Sequence, residues 1–264
     1  MTDNLLIAAL CPHPPIIIPE VGGNQTQKVE KTINALKELA DEIVSRQPDT
    51  IIVVTPHSTF NPYRFSVFTD KRLNGDFRNF RAPEAKISFD NNIEFVQALQ
   101  NNIKEKFNTL HPIAAGSILD HGTAVPMYYL AKAGYAGKLV AINYCALDKK
   151  AHIEFGQLIK KTMDESESKF AIIASGDLSH RLLPTAPAGY NEEAHKFDEL
   201  VVKAVEDGNY DLLININQYL REVAGECGYN SLMTIFGTLN AMPANNKVYS
   251  YEAPFGVGYL VATL

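Results

Sequence analysis

Cysteine is scarce in this chain: three of 264 residues, at positions 11, 145 and 227. An odd, unpatterned count excludes the disulfide framework of small secreted domains and points to a reducing compartment. Grouped positive charge is also missing. The net charge is −6, and no basic run is longer than two residues, as at Lys149-Lys150. Phosphate recognition needs clustered Lys and Arg, so no nucleic-acid partner is expected. No apolar run approaches the roughly 20 residues that cross a bilayer. The opening MTDNLLIAALCPHPP lacks a basic leader and runs into prolines, so it reads as a strand and not as a secretory signal. These absences lead to the expectation of a cytoplasmic protein with no membrane partner. Repeats, low-complexity tracts and composition shifts are absent as well, which favours one domain over residues 1–264.

What is present suits a large core. Hydrophobic residues make up 46% and charged residues 20%, the balance of an ordinary globular chain. Short apolar or β-branched runs read as strands over Leu5 to Leu10, Thr50 to Thr55, Arg64 to Thr69, Lys138 to Asn143, Phe170 to Ser175, Val248 to Glu252 and Val257 to Thr263. Helical spacing appears over Thr26 to Ser45, Asn92 to Phe107, Lys149 to Asp164, Asn191 to Glu206 and Tyr229 to Leu239, and in pieces from Asp211 to Val223. A short helix is expected over Ala124 to Ala133, entered through Thr123 as N-cap. Asp70 to Pro83, polar and Gly-containing, reads as a loop or lid. Alternating strands and helices predict an α/β fold: a central, mostly parallel mixed sheet flanked by helices on both faces, with the last two strands antiparallel.

Four of the seven histidines share a setting. His13 in CPHPP, His57 in VVTPHS and His180 in ASGDLSH follow strands, and His121 in LDHGTAVP stands before a helix. Sites in open α/β sheets form outside the carboxyl ends of strands, so these four are expected on one rim. His111, His152 and His195 read as loop or helix residues without a role. Two histidines and one carboxylate on one face suit a non-haem Fe(II) centre with open positions. The proline-flanked His13 and His57 are the firm pair. For the third ligand, Glu226 in AGECGYNS is the choice and Cys227 the rival, a softer donor. A helix N-terminus is the alternative explanation for Glu226. Asp120 and Asp177 read as carboxylates that orient imidazole. Ser175 or Ser179 beside Gly176 carries only a weak nucleophile signal, since the GxSxG elbow is lacking. The arginines of the 70–83 segment read as surface charge, with substrate-carboxylate binding as the other reading.

These residues carry a resemblance over nearly the full length. CPHPP, TPHS, LDHGTAVP, ASGDLSH, ECGYNS and YEAPFGVGY together resemble the class III extradiol ring-cleavage dioxygenase superfamily, the catalytic LigB-like group. Within it the chain looks most like the AmmeMemoRadiSam system protein A group, related to the Memo proteins. The resemblance implies Fe(2+) held by His13, His57 and Glu226, with Zn(2+) or another divalent metal as the alternative. It implies His121 and His180 as acid/base groups, a catechol-like aromatic substrate with O2, and a homodimer. The Memo branch implies a cysteine near Cys227 in metal binding and no established ring cleavage. A metal-binding Memo-like protein and a zinc-dependent hydrolase are therefore the competing readings.

Overall fold

The computed structural model describes residues 4–239 and 246–264, so residues 1–3 and 240–245 of the expected domain lie outside the described residues. Its strands are β1 (Leu5–Cys11), β2 (Thr50–Thr55), β3 (Ser66–Phe68), β4 (Arg72–Phe77), β5 (Ala82–Asp90), β6 (His111–Ile113), β7 (Lys138–Asn143), β8 (Phe170–Ser175), β9 (Lys247–Glu252) and β10 (Tyr259–Thr263). The helices are α1 (Pro19–Gly22), α2 (Glu30–Ser45), α3 (Ile93–Phe107), α4 (His121–Lys132), α5 (Lys149–Asp164), α6 (His195–Glu206), α7 (Tyr210–Ile214), α8 (Gln218–Ala224) and α9 (Tyr229–Thr238).

Eight strands form one sheet in the order β6-β3-β7-β2-β8-β1-β10-β9. Its centre, β7-β2-β8-β1, is parallel throughout. Both flanks turn antiparallel, at β3 against β7 and at β10 against β1 and β9. The central strands are buried on both faces and read as continuous apolar runs for that reason. Alternate residues divide between two cores. Ile7, Ala9, Ile51, Val53, Ala171 and Ile173 face α2 and α4. Ala8, Leu10, Ile52, Val140, Ile172 and Ala174 face α3, α5, α6 and α9. This is the single α/β domain with a mostly parallel mixed sheet that the alternating pattern predicts.

Three local expectations need correction. The 70–83 segment is not a loop. It belongs to a separate antiparallel hairpin of β4 and β5, whose inward residues Leu73, Phe77, Ala82, Ala85, Ile87 and Phe89 join the α2/α4 core. Its outward residues are polar, and Gly75 and Pro83 inside the two strands are residues that strands disfavour. The helix expected from Thr26 becomes regular only at Glu30; residues 23–29 are 3-10. The helix expected from Ala124 begins at His121, capped by Asp120, whose side chain accepts from the Thr123 N–H. The short strand β6 escaped the pattern because Pro112 sits in it. An edge position tolerates that proline.

Candidate metal centre

The parallel strands end together, and the site grows from those ends. Cys11 pairs in register with Ser175, and Val54 with Ala174. The residues just beyond β1, β2 and β8 therefore emerge side by side. His13 leaves β1 between prolines, and its ring is buried, 1% exposed. Its backbone N–H donates to Asp177 Oδ1 at 2.9 Å. His57 leaves β2 after Pro56. The Thr55 hydroxyl donates to Asp120 Oδ1 at 2.6 Å, tying the end of β2 to the start of α4. That bond brings His57 and His121 together, stacked with centroids 4.3 Å apart. His13 meets both edge-on, at 4.7 and 5.4 Å. His180, after β8, is near enough to lower the pKa of both His13 and His57.

A third candidate donor comes from the segment between α8 and α9. Cys227 Sγ lies 3.6 Å from His13 Nε2, which is 3.0 Å from His57 Nε2. The three atoms fall within 4.8 Å of one another. Two bonds of about 2.0–2.3 Å to one ion span such gaps. Close lacing holds Cys227 there. The Asp177 carbonyl accepts the N–H groups of Cys227 and Gly228, and Sγ accepts the Asp177 N–H at 3.3 Å. Gly176 makes this approach feasible, because a Cβ on it would stand 2.1 Å from Gly228 Cα.

Glu226 points elsewhere. Arg221 Nε donates to its Oε1 at 2.8 Å, and the Tyr229 N–H at the head of α9 donates to Oε2 at 2.7 Å. A helix N-terminus and a guanidinium together hold this carboxylate. The structure therefore gathers His13, His57 and Cys227 and leaves Glu226 beside them, facing away. Asp120 and Asp177 also differ from expectation: both bind backbone N–H groups or hydroxyls and neither bonds to imidazole. Ser175 enters this region as a hydrogen-bond partner of the His13 ring, and Arg221 is the residue that sequence reasoning missed. An arginine five residues before Glu226 was the available signal.

Electrostatics favour a neutral cluster. Burial pushes His13 well below its ordinary pKa, and the neighbouring imidazoles add to this. His57 has an edge open to solvent, yet partial burial and His121 lower it to about 4. Burial lowers His121 and His180 too. All four are therefore uncharged near neutral pH, with lone pairs free for a cation or a proton. Burial, then the nearby Asp177 charge, raises the Cys227 thiol well above its usual range. The residues fit a divalent cation: two neutral imidazoles and a thiol converge, with no competing positive charge on the donors. The hairpin closes one side, with Phe80 on the turn between β4 and β5 set edge-on to His121 at 5.5 Å. Its arginines bind locally, Arg78 to Asp76 and Arg72 to Asp90.

A domain of this build, with histidines gathered at the sheet's carboxyl edge, defines a class, and comparison with known proteins gives it a family. Residues 7–262 match the family model described as the catalytic LigB subunit of aromatic ring-opening dioxygenase. The chain belongs to that family. It is 36% identical to protein CA_C1420 of Clostridium acetobutylicum over 97% of its own length, but spans 56% of that longer protein. It is 25% identical to a 3,4-dihydroxyphenylacetate 2,3-dioxygenase of Escherichia coli, covering 96% of each chain. Among solved structures, the uncharacterized protein JW3007 of Escherichia coli K12 shares the fold. Its TM-score is 0.63 at 16% identity, over 97% of this chain and 98% of that one.

Proposed function

We propose that this protein is a metal-dependent, extradiol-type ring-opening dioxygenase acting on a catechol-like aromatic with O2. The observation that carries the reading is the convergence of His13, His57 and Cys227, with His121 and His180 at the same rim and not needed as ligands. In this reading the first three hold the cation, and Glu226 stays with Arg221. A bound ferrous ion would supply the Lewis acidity and redox chemistry that a ring and O2 require. The chain's own residues do the rest. His121 and His180, neutral near pH 7, accept a phenolic proton and return it. Phe80, edge-on to His121, and the stacked His57–His121 pair add aromatic surface against which a ring can pack.

A second reading, a zinc-binding protein or hydrolase without ring cleavage, draws support from the cysteine donor, which suits softer metals. Anaerobic purification with metal analysis, then Fe(II) reconstitution and a catechol panel followed by oxygen uptake and ring-fission absorbance, tests the two. Iron-dependent oxygen uptake supports the dioxygenase. Stoichiometric zinc, with no uptake on any catechol, moves the assignment to the second reading.

A further inference from the structure

Ser175, the last residue of β8, is fully buried, and the reaction outlined above makes no use of it. Its Oγ stands 2.9 Å from His13 Nδ1 and donates to the Gly122 carbonyl at 2.5 Å. A hydroxyl has one proton to give. With that proton directed at Gly122, Ser175 can only accept from His13. The imidazole proton must then sit on Nδ1, and Nε2 is left bare. Nε2 is the atom that faces His57 and Cys227. In the metal-free protein the 3.0 Å contact between the two Nε2 atoms is filled by a proton on His57.

The Gly122 carbonyl is available for a reason written in the sequence. In an α-helix the carbonyl of residue i accepts the N–H of residue i+4. Four residues after Gly122 comes Pro126, inside α4, and proline has no N–H. The carbonyl that α4 cannot satisfy is the one that takes the Ser175 proton. A carbonyl cannot donate, so the direction of the whole chain of bonds is set from that end. Gly122 must also lie close to its surroundings, because a Cβ there would stand 2.2 Å from Thr55 Oγ1.

We propose that Pro126, the Gly122 carbonyl and Ser175 form a positioning relay that fixes His13 as its Nδ1–H tautomer and presents a bare Nε2 to the cation. This rests on the metal-centre reading. Outer hydrogen bonds of this kind orient ligating imidazoles and raise their basicity. The relay spans β1, β8 and α4, so the helix that begins with His121 also sets the His13 ring. It removes the nucleophile reading of Ser175, whose proton is already committed and whose oxygen is closed to solvent.

The test uses the metal-free full chain with labelled histidine. Long-range proton–nitrogen NMR reads the His13 tautomer, and chelator competition reads Zn2+ affinity in the same buffer. Wild type should show Nδ1–H. Ser175→Ala should show mixed tautomers and bind zinc about 10–100-fold more weakly. Ser175→Thr, which keeps the hydroxyl, should restore the Nδ1–H signal. Pro126→Ala returns a competing N–H to Gly122 and should give a smaller loss of affinity. A wild-type His13 protonated on Nε2 overturns the relay, and it does so even where the alanine variant fails to fold. So does a Ser175→Ala protein with wild-type tautomer and affinity. A wild-type protein with Nδ1–H that takes up no divalent cation overturns the metal centre and leaves the relay standing.

Discussion

At the scale of single residues, the adjacent pair Glu226 and Cys227 divides two kinds of work. Glu226 Oε2 caps α9 and Oε1 takes Arg221, which also lies over the Tyr229 ring at 3.8 Å. Cys227 faces the histidines. The two substitutions should therefore separate. Cys227→Ala should lower metal occupancy at least tenfold, read by metal analysis after dialysis against a weak chelator. Glu226→Gln should keep the metal and lose about 1–3 kcal/mol of stability, the scale of a charge-assisted bond, read by urea unfolding. Retained metal in the first variant and lost metal in the second would return the ligand role to Glu226. Uptake should also depend on pH. The Cys227 thiol is held well above its ordinary pKa, so a cation must displace its proton. Affinity should rise with pH across the neutral range, with proton release measurable by calorimetry in buffers of different ionisation heat. A flat profile would exclude the thiol as a ligand.

At the scale of elements, the site depends on how closely the segments after β8 and α8 approach one another. Gly176 and Gly228 meet backbone to backbone. Gly176→Ala has no flexible side chain to displace, so backbone must shift. The expected cost is about 1–3 kcal/mol or more, with metal affinity falling alongside as Cys227 moves. Denaturant melts and chelator competition read the two effects separately, and unchanged values in both would contradict this packing. The β4–β5 hairpin is the other element of consequence. Leu119 donates its N–H to the Asn74 carbonyl, so the hairpin is tied to the approach to α4 and carries Phe80 to His121.

At the scale of the whole molecule, Asp198 of α6 joins three separate parts. Its Oδ1 accepts the Ser179 N–H at 2.9 Å and its Oδ2 accepts the Tyr251 hydroxyl at 2.7 Å, linking the segment after β8 to the edge strand β9. Burial raises its carboxyl to about 7, partly offset by those bonds. Between the unfolded value of about 4 and the folded value, the native state holds the extra proton, so stability falls as pH rises through that window. Asp177, also raised to about 7 by burial, acts in the same direction. Asp198→Asn should flatten the slope of unfolding free energy between pH 4 and 7 by a few kcal/mol in total, one pKa unit being about 1.4 kcal/mol. An unaltered slope in the variant would show that the Asp198 proton is not linked to folding. No helix among the described residues is long and apolar enough to cross a membrane.

The sequence alone determined the sheet's centre, the larger helices and the gathering of His13, His57, His121 and His180. Fully buried parallel strands are apolar runs by necessity, and residues just past their ends share one rim. Lys149–Asp164 and Phe170–Ser175 were legible to the residue because strong periodic or β-branched runs end at clear caps or glycines. The hairpin was not legible, since Gly75 and Pro83 stand inside its strands and read as loop residues. Nor was the choice between Glu226 and Cys227. The linear string favours the carboxylate of these two neighbours, and only the tertiary structure sets Arg221 and the head of α9 against Glu226 and the histidines against Cys227. Pro126 lay in plain view, four residues after Gly122. Its consequence needed three dimensions, because only the packing of β8 against α4 brings a serine hydroxyl to the carbonyl that proline leaves free.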